Sequence, residues 1–168
     1  MRTLFSVVIV VLLAMLAAPT AAAQAADGWR PFEGTWSASG RRHSIPTETG
    51  RAAGVLQMSG AIVLARVEGL SLGFRAEAIG FDDGQSLSVG RAVWTDERGD
   101  QIFSQLKGER VKTGGRATGT ITGGTGRYAG IEGEYVFEWQ YVVHAEDEVV
   151  QGLAVRLSGR FRPPAVPE

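Results

Sequence analysis

Apolar and polar residues alternate along most of the chain after residue 33, and glycine-rich or acidic clusters interrupt the alternation at short intervals. A period of two is the pattern of a β-strand that is buried on one face. The pattern predicts eight strands, joined by turn-forming segments such as Asp82-Asp83-Gly84. Their predicted bounds are 34–44, 53–67, 72–81, 86–96, 101–111, 116–122, 134–144 and 149–162.

Eight short strands with hairpin connections are typical of a closed up-and-down antiparallel β-barrel, so the predicted fold class is all-β. A closed barrel also leaves no free strand edge. Alternation places one row of large residues on a single face of each of the last two strands, opposite a more polar row. We therefore expect these rows inside the barrel: Tyr135, Phe137, Trp139, Tyr141 and Val143, then Leu153, Val155, Leu157 and Phe161.

The second predicted strand differs, because it carries apolar residues on both faces. These residues are Val55, Met58, Ile62, Val63, Leu64 and Val67. One face of a barrel strand contacts the lumen, so something else must cover the other. Two explanations remain open: a homo-oligomer interface, or packing of the N-terminal segment Trp29-Arg30-Pro31-Phe32.

The N-terminus has the form of a secretory signal peptide. Arg2 supplies a positive charge, an apolar run follows from Leu4 to Ala18, and small residues after Pro19 offer cleavage sites. The apolar run is shorter than the ~20 residues that a membrane span needs. We therefore expect residues 1–25 to be removed and residues 26–168 to form one exported domain, periplasmic or extracellular, without stable membrane insertion.

Composition narrows the function classes. The formal net charge of the full chain is −1, which gives no electrostatic reason to expect a nucleic-acid partner. Cysteine is absent, so disulfide and thiolate chemistry are excluded. The two histidines, His43 and His144, have no second ligand at a useful spacing, so we expect no metal and no cofactor.

The densest glycine segment runs from Gly123 to Gly133 and reads Gly-Gly-Thr-Gly-Arg-Tyr-Ala-Gly-Ile-Glu-Gly. It resembles the allene oxide cyclase/dirigent-like β-barrels, in which G-G-T-G-x-[YF]-x-G-x-x-G precedes a late aromatic strand. The resemblance implies an eight-stranded, calycin-like barrel that serves as a cyclase, a coupling chaperone or an exported protein. A nucleotide loop is the rival interpretation, but it needs a helix after the glycines, and a strand pattern follows.

Two shorter motifs are interpreted as structural. Gly34-Thr35-Trp36 resembles the first strand of lipocalins and avidins, which implies that Trp36 closes one barrel end beneath Arg160 or Arg162. Asp96 and Asp100 flank an Asp-x-x-Gly segment, and the oxygen ligands of a calcium loop are missing. We therefore expect a hairpin turn at these aspartates.

The predicted function is binding of a small apolar ligand in the lumen, with the four aromatic residues Tyr135, Phe137, Trp139 and Tyr141 as the ligand-binding candidates. Small residues on facing strands are expected to leave room beside these rings: Ser59, Ala61, Ala76 and Ala78. An alternative is a cyclase or isomerase acting in the same cavity, which requires an inward carboxylate such as Glu77, Glu134 or Glu138. No catalytic residue is assigned. A third alternative is a filled barrel that acts through its surface in the cell envelope.

Overall fold

The structure is a computed structural model that describes residues 28–65, 67–111, 114–144 and 148–163. Its strands are β1 (Arg30–Pro46), β2 (Ala52–Leu64), β3 (Gly73–Asp82), β4 (Ser88–Thr95), β5 (Gln101–Val111), β6 (Gly114–Gly124), β7 (Glu132–His144) and β8 (Val149–Arg162). Each strand pairs antiparallel with the next, and β8 pairs with β1. The predicted all-β class and closed eight-stranded barrel are confirmed, whereas the predicted signal peptide lies outside the described residues.

The described residues contain no helix with the length and apolar character needed to span a membrane. Strand bounds differ from the predicted ones by a few residues. β1 begins four residues early, at Arg30, because its first residues pair with the end of β8. β2 ends at Leu64, whose N–H already bonds the carbonyl of Leu72 across the turn into β3.

One half of the barrel, which we call the closed half, is filled by aromatic side chains. The rings of Trp94 and Tyr135 lie 4.8 Å apart, and Phe32 meets Trp94 edge-on at 6.2 Å. Tyr128 and Phe161 are fully buried in the same half. Burial of each such side chain contributes on the order of 1.5–3 kcal/mol, so this half supplies much of the core.

A bulge in β8 reverses the faces of that strand. Leu157 lies opposite Gly34 whereas Ala154 lies opposite Trp36, so β8 holds one extra residue across this interval. Arg156 sits at the bulge with a φ of 55°. Ala154 is consequently buried and Leu153 is 40% exposed. The expectation that Leu153 and Val155 face inward was wrong, because simple alternation does not survive an inserted residue.

The glycine segment closes one end of the barrel. It forms a 3-10 turn over Gly126–Tyr128, and β7 begins soon after it. Gly126 and Gly130 have φ values of 51° and 83°, which side chains rarely adopt. The turn directs Tyr128 into the core, where it is fully buried. No helix follows the glycines within the described residues, so the nucleotide-loop interpretation was wrong.

Three loops meet at this closed end. The Arg127 guanidinium donates from Nε to Asp96 Oδ2 at 2.8 Å and from Nη2 to Glu97 Oε1 at 3.0 Å. Ser71 Oγ donates to the second oxygen of Glu97 at 2.6 Å, and Ser71 N donates to the Tyr128 hydroxyl at 3.3 Å. The β2–β3, β4–β5 and β6–β7 loops are thereby tied to one another.

Candidate functional site

The other half of the barrel holds an open cavity of about 510 Å³. We call this the open half, and its mouth lies where β1, β3, β5 and β7 end. One wall of the cavity is aromatic and comes from β1 and β7. Its members are Trp36, Phe137, Trp139 and Tyr141. Alternation along β7 places the three β7 rings on the lumen face, as the sequence predicted. The expectation that Val143 also faces inward was wrong: it is 42% exposed, because the register of β7 with β8 shifts between Tyr141 and Val143.

The opposite wall is built mainly from small residues. Most inward positions of β2 to β6 near the mouth are occupied by glycine or alanine, and Leu56, Met58 and Leu106 supply the larger side chains of this wall. The small residues are Gly54, Ala78, Gly80, Gly90, Gly108, Gly115 and Ala117. A Cβ placed on Gly115 would meet no atom within 4 Å, so the space in front of it is empty. The cavity therefore exists because most inward positions of these strands carry little side-chain volume at this level.

Sequence reasoning found only part of this small-residue wall. Ala78 was expected to leave room in the lumen, and it does line the cavity. Ala61 and Ser59 were expected to do the same but are exposed on the outer face. The glycines were missed as cavity residues, although Gly115 and Ala117 alternate along one strand and carried the signal.

The predicted ligand-binding residues separate into two groups. Phe137, Trp139 and Tyr141 line the cavity, with Tyr141 at its mouth and 41% exposed. Tyr135 lies deeper, in the closed half, where its hydroxyl is 2.7 Å from Ser104 Oγ. Burial raises the pKa of Tyr135 to about 12. Three of the four predicted residues therefore line the cavity.

The aromatic wall contains two unused donors. The rings of Trp36 and Trp139 lie 5.3 Å apart, and both indole N–H groups are buried. Neither has a hydrogen-bond partner among the described residues. A buried polar group without a partner costs roughly 1–3 kcal/mol. A ligand acceptor that reached either indole N–H would recover part of that cost.

The expected stacking of Trp36 on an arginine was wrong. The tryptophan that stacks is Trp29, whose ring lies 4.9 Å from the guanidinium carbons of both Arg160 and Arg162. Trp36 instead packs in the lumen, edge-on to Phe137 at 6.0 Å. The reason is register, because β1 starts at Arg30 and places Trp36 well inside the barrel.

The carboxylates considered for catalysis do not enter the lumen. Glu77 is exposed, and its neighbours Ala76 and Ala78 take the inward positions of β3. Glu134 pairs with Arg160 at 2.8 Å, and Glu138 pairs with Arg156 at 3.1 Å, both across the outer face. None of these three carboxyl groups therefore lies in the lumen, where it could act as a general acid.

A metal site needs several ligating side chains close together, and the described residues do not provide such a cluster. The described part of the chain contains no group of three or more His, Cys, Asp or Glu residues that could hold a metal ion. His43 is exposed and lies 2.7 Å from Glu148 Oε1, while the side chain of His144 is not among those described. Asp96 Oδ1 accepts the backbone N–H groups of Arg98 and Asp100, as in a turn.

None of the residues that the structure describes covers the outer face of β2 at Val55 and Val63. Val55 and Val63 are each 53% exposed, while Met58 is buried in the lumen. The N-terminal segment does not cover them, because Phe32 packs inside the barrel and Trp29 lies against β8. Packing of Trp29-Arg30-Pro31-Phe32 over β2 was thus the wrong explanation for the two-sided apolar pattern.

Comparison with known proteins adds no relative: no protein-family model, curated protein or solved structure matches this chain.

Proposed function

We propose that the open half of the barrel binds a small, largely apolar molecule. The observation that carries the proposal is the cavity of about 510 Å³ between an aromatic wall and a glycine–alanine wall. Ligand pockets in proteins usually occupy ~300–1,000 Å³ and are lined mainly by apolar side chains with a few polar groups. A filled barrel would instead have large residues at these inward positions.

The two walls suggest the shape of the ligand. A planar or unbranched apolar group would lie against Trp36 and Trp139 and fill the space in front of Gly115. The unpaired indole N–H groups favour a ligand that also carries an acceptor oxygen. The rim supplies charged groups of both signs, since Arg42, Asp82 and Glu109 lie at the mouth.

Binding without a reaction fits the positions of the carboxylates. Glu77 of β3 and Glu134 and Glu138 of β7 lie on the outer face, whereas Asp82 at the end of β3 and Glu109 of β5 line the mouth of the cavity. The only polar pair deep in the described lumen, Ser104 with Tyr135, lies in the closed half below the cavity. We propose export of residues 26–168 as part of the same account, on the strength of the leader-like N-terminus and the allene oxide cyclase/dirigent resemblance.

The test is a titration with N-phenyl-1-naphthylamine, a neutral apolar dye whose fluorescence rises on burial. The wild-type chain is expected to bind about one dye per barrel, and dye binding should quench tryptophan emission. Gly115→Phe projects a ring into the empty part of the cavity and should weaken dye binding by about tenfold or more.

Gly73→Phe is the matched control, because its Cβ meets only Ile62 O at 3.8 Å and β3 alternation points it outward. It should bind the dye as the wild type does. Thermal unfolding of both variants separates loss of the cavity from loss of the fold. Equal dye binding by the wild type and a folded Gly115→Phe variant would contradict the proposal.

A further inference from the structure

A second, much smaller void lies in the lumen beyond the cavity. Its volume is about 10 Å³, close to the least space that can hold one water molecule. Trp94 and Tyr135 of the closed half form part of its wall. Ala76, Ala92 and Ala154 also line it, and their short side chains leave the space unfilled. The packing of the closed half is therefore loosest directly beneath the cavity.

Three side chains separate the void from the cavity. Trp36, Leu106 and Phe137 line both spaces, and no other residue in the described part of the chain does so. We call these three residues the floor of the cavity. A ligand that enters through the mouth meets the floor with its leading end, so the floor determines how far the ligand can go.

The two aromatic members of the floor are held by other rings. Phe137 stacks on Tyr135 with ring centroids 6.3 Å apart and planes within 15° of each other. Trp36 meets Phe137 edge-on at 6.0 Å and packs against Trp139 at 5.3 Å. Both floor rings are buried. Their positions are therefore fixed by the aromatic packing of the barrel.

Leu106 is the less supported member of the floor. It is half-buried and points inward, between the exposed residues Gln105 and Lys107. Its partners on the neighbouring strands are Gly90 of β4 and Gly119 of β6, and neither has a side chain that could pack beside it. The size of the Leu106 side chain itself therefore decides where the cavity ends on this side.

We propose that Leu106 sets the depth of the cavity and thereby the length of the ligand that the barrel accepts. The inference rests on the proposed binding function and specifies the class of ligand, an unbranched apolar chain that lies along the barrel with its end against Leu106. Beyond the floor the space narrows from about 510 Å³ to about 10 Å³. An extension of this size fits the end of an alkyl chain and excludes a ring.

Leu56 provides the contrast that the inference needs. It is also a half-buried leucine that faces the lumen, and it lines the cavity but not the void. Its partners on the neighbouring strands are Arg42 and Gly80, and Arg42 lies at the mouth. Shortening Leu56 therefore widens the cavity, whereas shortening Leu106 lengthens it towards Tyr135.

The experiment is displacement of N-phenyl-1-naphthylamine by unbranched primary alcohols, from 1-hexanol to 1-dodecanol. Wild-type affinity should rise by about fourfold for each added methylene until the chain end reaches Leu106, and should then stop rising. We call the alcohol at this point the length limit. Leu106→Ala should move the length limit to alcohols that are longer by about two or three carbon atoms, because the substitution opens the way into the void.

Two further variants define the effect. Leu56→Ala is the matched control and should keep the length limit of the wild type. Leu106→Phe projects a longer side chain from the floor into the cavity and should move the length limit to shorter alcohols. It tests the same residue without creating a void, so the inference remains testable if Leu106→Ala does not fold. Thermal unfolding shows which variants are folded.

Two results would overturn the role of Leu106 while leaving ligand binding intact. The first is one length limit shared by the wild type and the folded Leu106 variants. The second is a shift for Leu56→Ala as large as that for Leu106→Ala, since depth would then not depend on the floor. A wild-type protein that bound neither the dye nor any alcohol would overturn the proposed function together with this inference.

Discussion

Arg127 follows Asp96 by 31 residues, yet its Nε donates to Asp96 Oδ2 at 2.8 Å across the closed end of the barrel. The backbone N–H of Arg127 also donates to Asp100 Oδ2, at 3.2 Å. The aspartates of the β4–β5 turn and the glycine-rich β6–β7 loop are therefore two halves of one structural unit, which closes the barrel opposite the cavity.

Loss of the Arg127 guanidinium should destabilise the fold. Burial alone would raise the pKa of Asp96, but the N–H of Arg98 and the guanidinium of Arg127 outweigh it and hold that pKa below its usual value. Arg127→Gln leaves the Asp96 carboxylate buried without its cation, at a cost of about 3 kcal/mol. Urea unfolding at neutral pH measures the loss.

The control for this prediction is Glu134→Gln, which breaks an exposed ion pair with Arg160. Both side chains of that pair are more than half exposed, so the loss should stay below about 1 kcal/mol. The stabilisation from Asp96 is present above its unfolded pKa and disappears as pH falls through the lowered folded pKa. An Arg127→Gln variant as stable as Glu134→Gln would refute this role.

Gly126 should tolerate no side chain. Its φ is 51°, and a Cβ there would collide with the Asp100 carboxylate. Gly99 has a φ of 86° but a Cβ there would meet nothing within 4 Å. Gly99→Ala should therefore cost about 1 kcal/mol from backbone strain alone, and Gly126→Ala clearly more. Equal melting temperatures for Gly99→Ala and Gly126→Ala would contradict the proposed packing of the loop.

The bulge in β8 predicts an unexpected tolerance pattern. Leu153→Asp should cost less than about 1 kcal/mol, because Leu153 is 40% exposed. Ala154→Asp buries a charge at a position that is 1% exposed and should prevent folding. Soluble expression and circular dichroism compare the two variants. If Leu153→Asp prevented folding and Ala154→Asp did not, the side chains of β8 would alternate without a bulge, contrary to this account.

Alkaline pH should destabilise the barrel through Tyr135. Burial raises its pKa from 10.0 to about 12, so the folded state favours the neutral phenol. This contribution is complete below pH 10 and is lost as pH rises through 12, by on the order of 2 kcal/mol. Urea midpoints measured across this range should fall less steeply for Tyr135→Phe than for the wild type.

The sequence predicted the strands and the barrel well, because alternation and turn residues are local signals. It also placed Phe137 and Trp139 correctly in the lumen. It failed on β8, since the extra residue near Arg156 is fixed by pairing with β1 and β7 and leaves no local mark. Covariation of strand positions across the barrel would be needed to see it.

The site was predicted in part for a similar reason. The aromatic row of β7 is visible within one strand, whereas the small wall combines residues from β2 to β6 at one level of the barrel. Only the assembled barrel shows that Gly80, Gly108 and Gly115 line the same cavity as Trp139.

The most direct test of ligand binding follows the four indole N–H signals in a ¹H–¹⁵N spectrum during titration with N-phenyl-1-naphthylamine. Trp36 and Trp139 line the cavity, Trp94 packs in the closed half, and Trp29 lies outside against Arg160 and Arg162. Binding in the open half predicts large shifts for Trp36 and Trp139 and none for Trp29. Shifts confined to Trp29, or no shift at saturating dye, would contradict it.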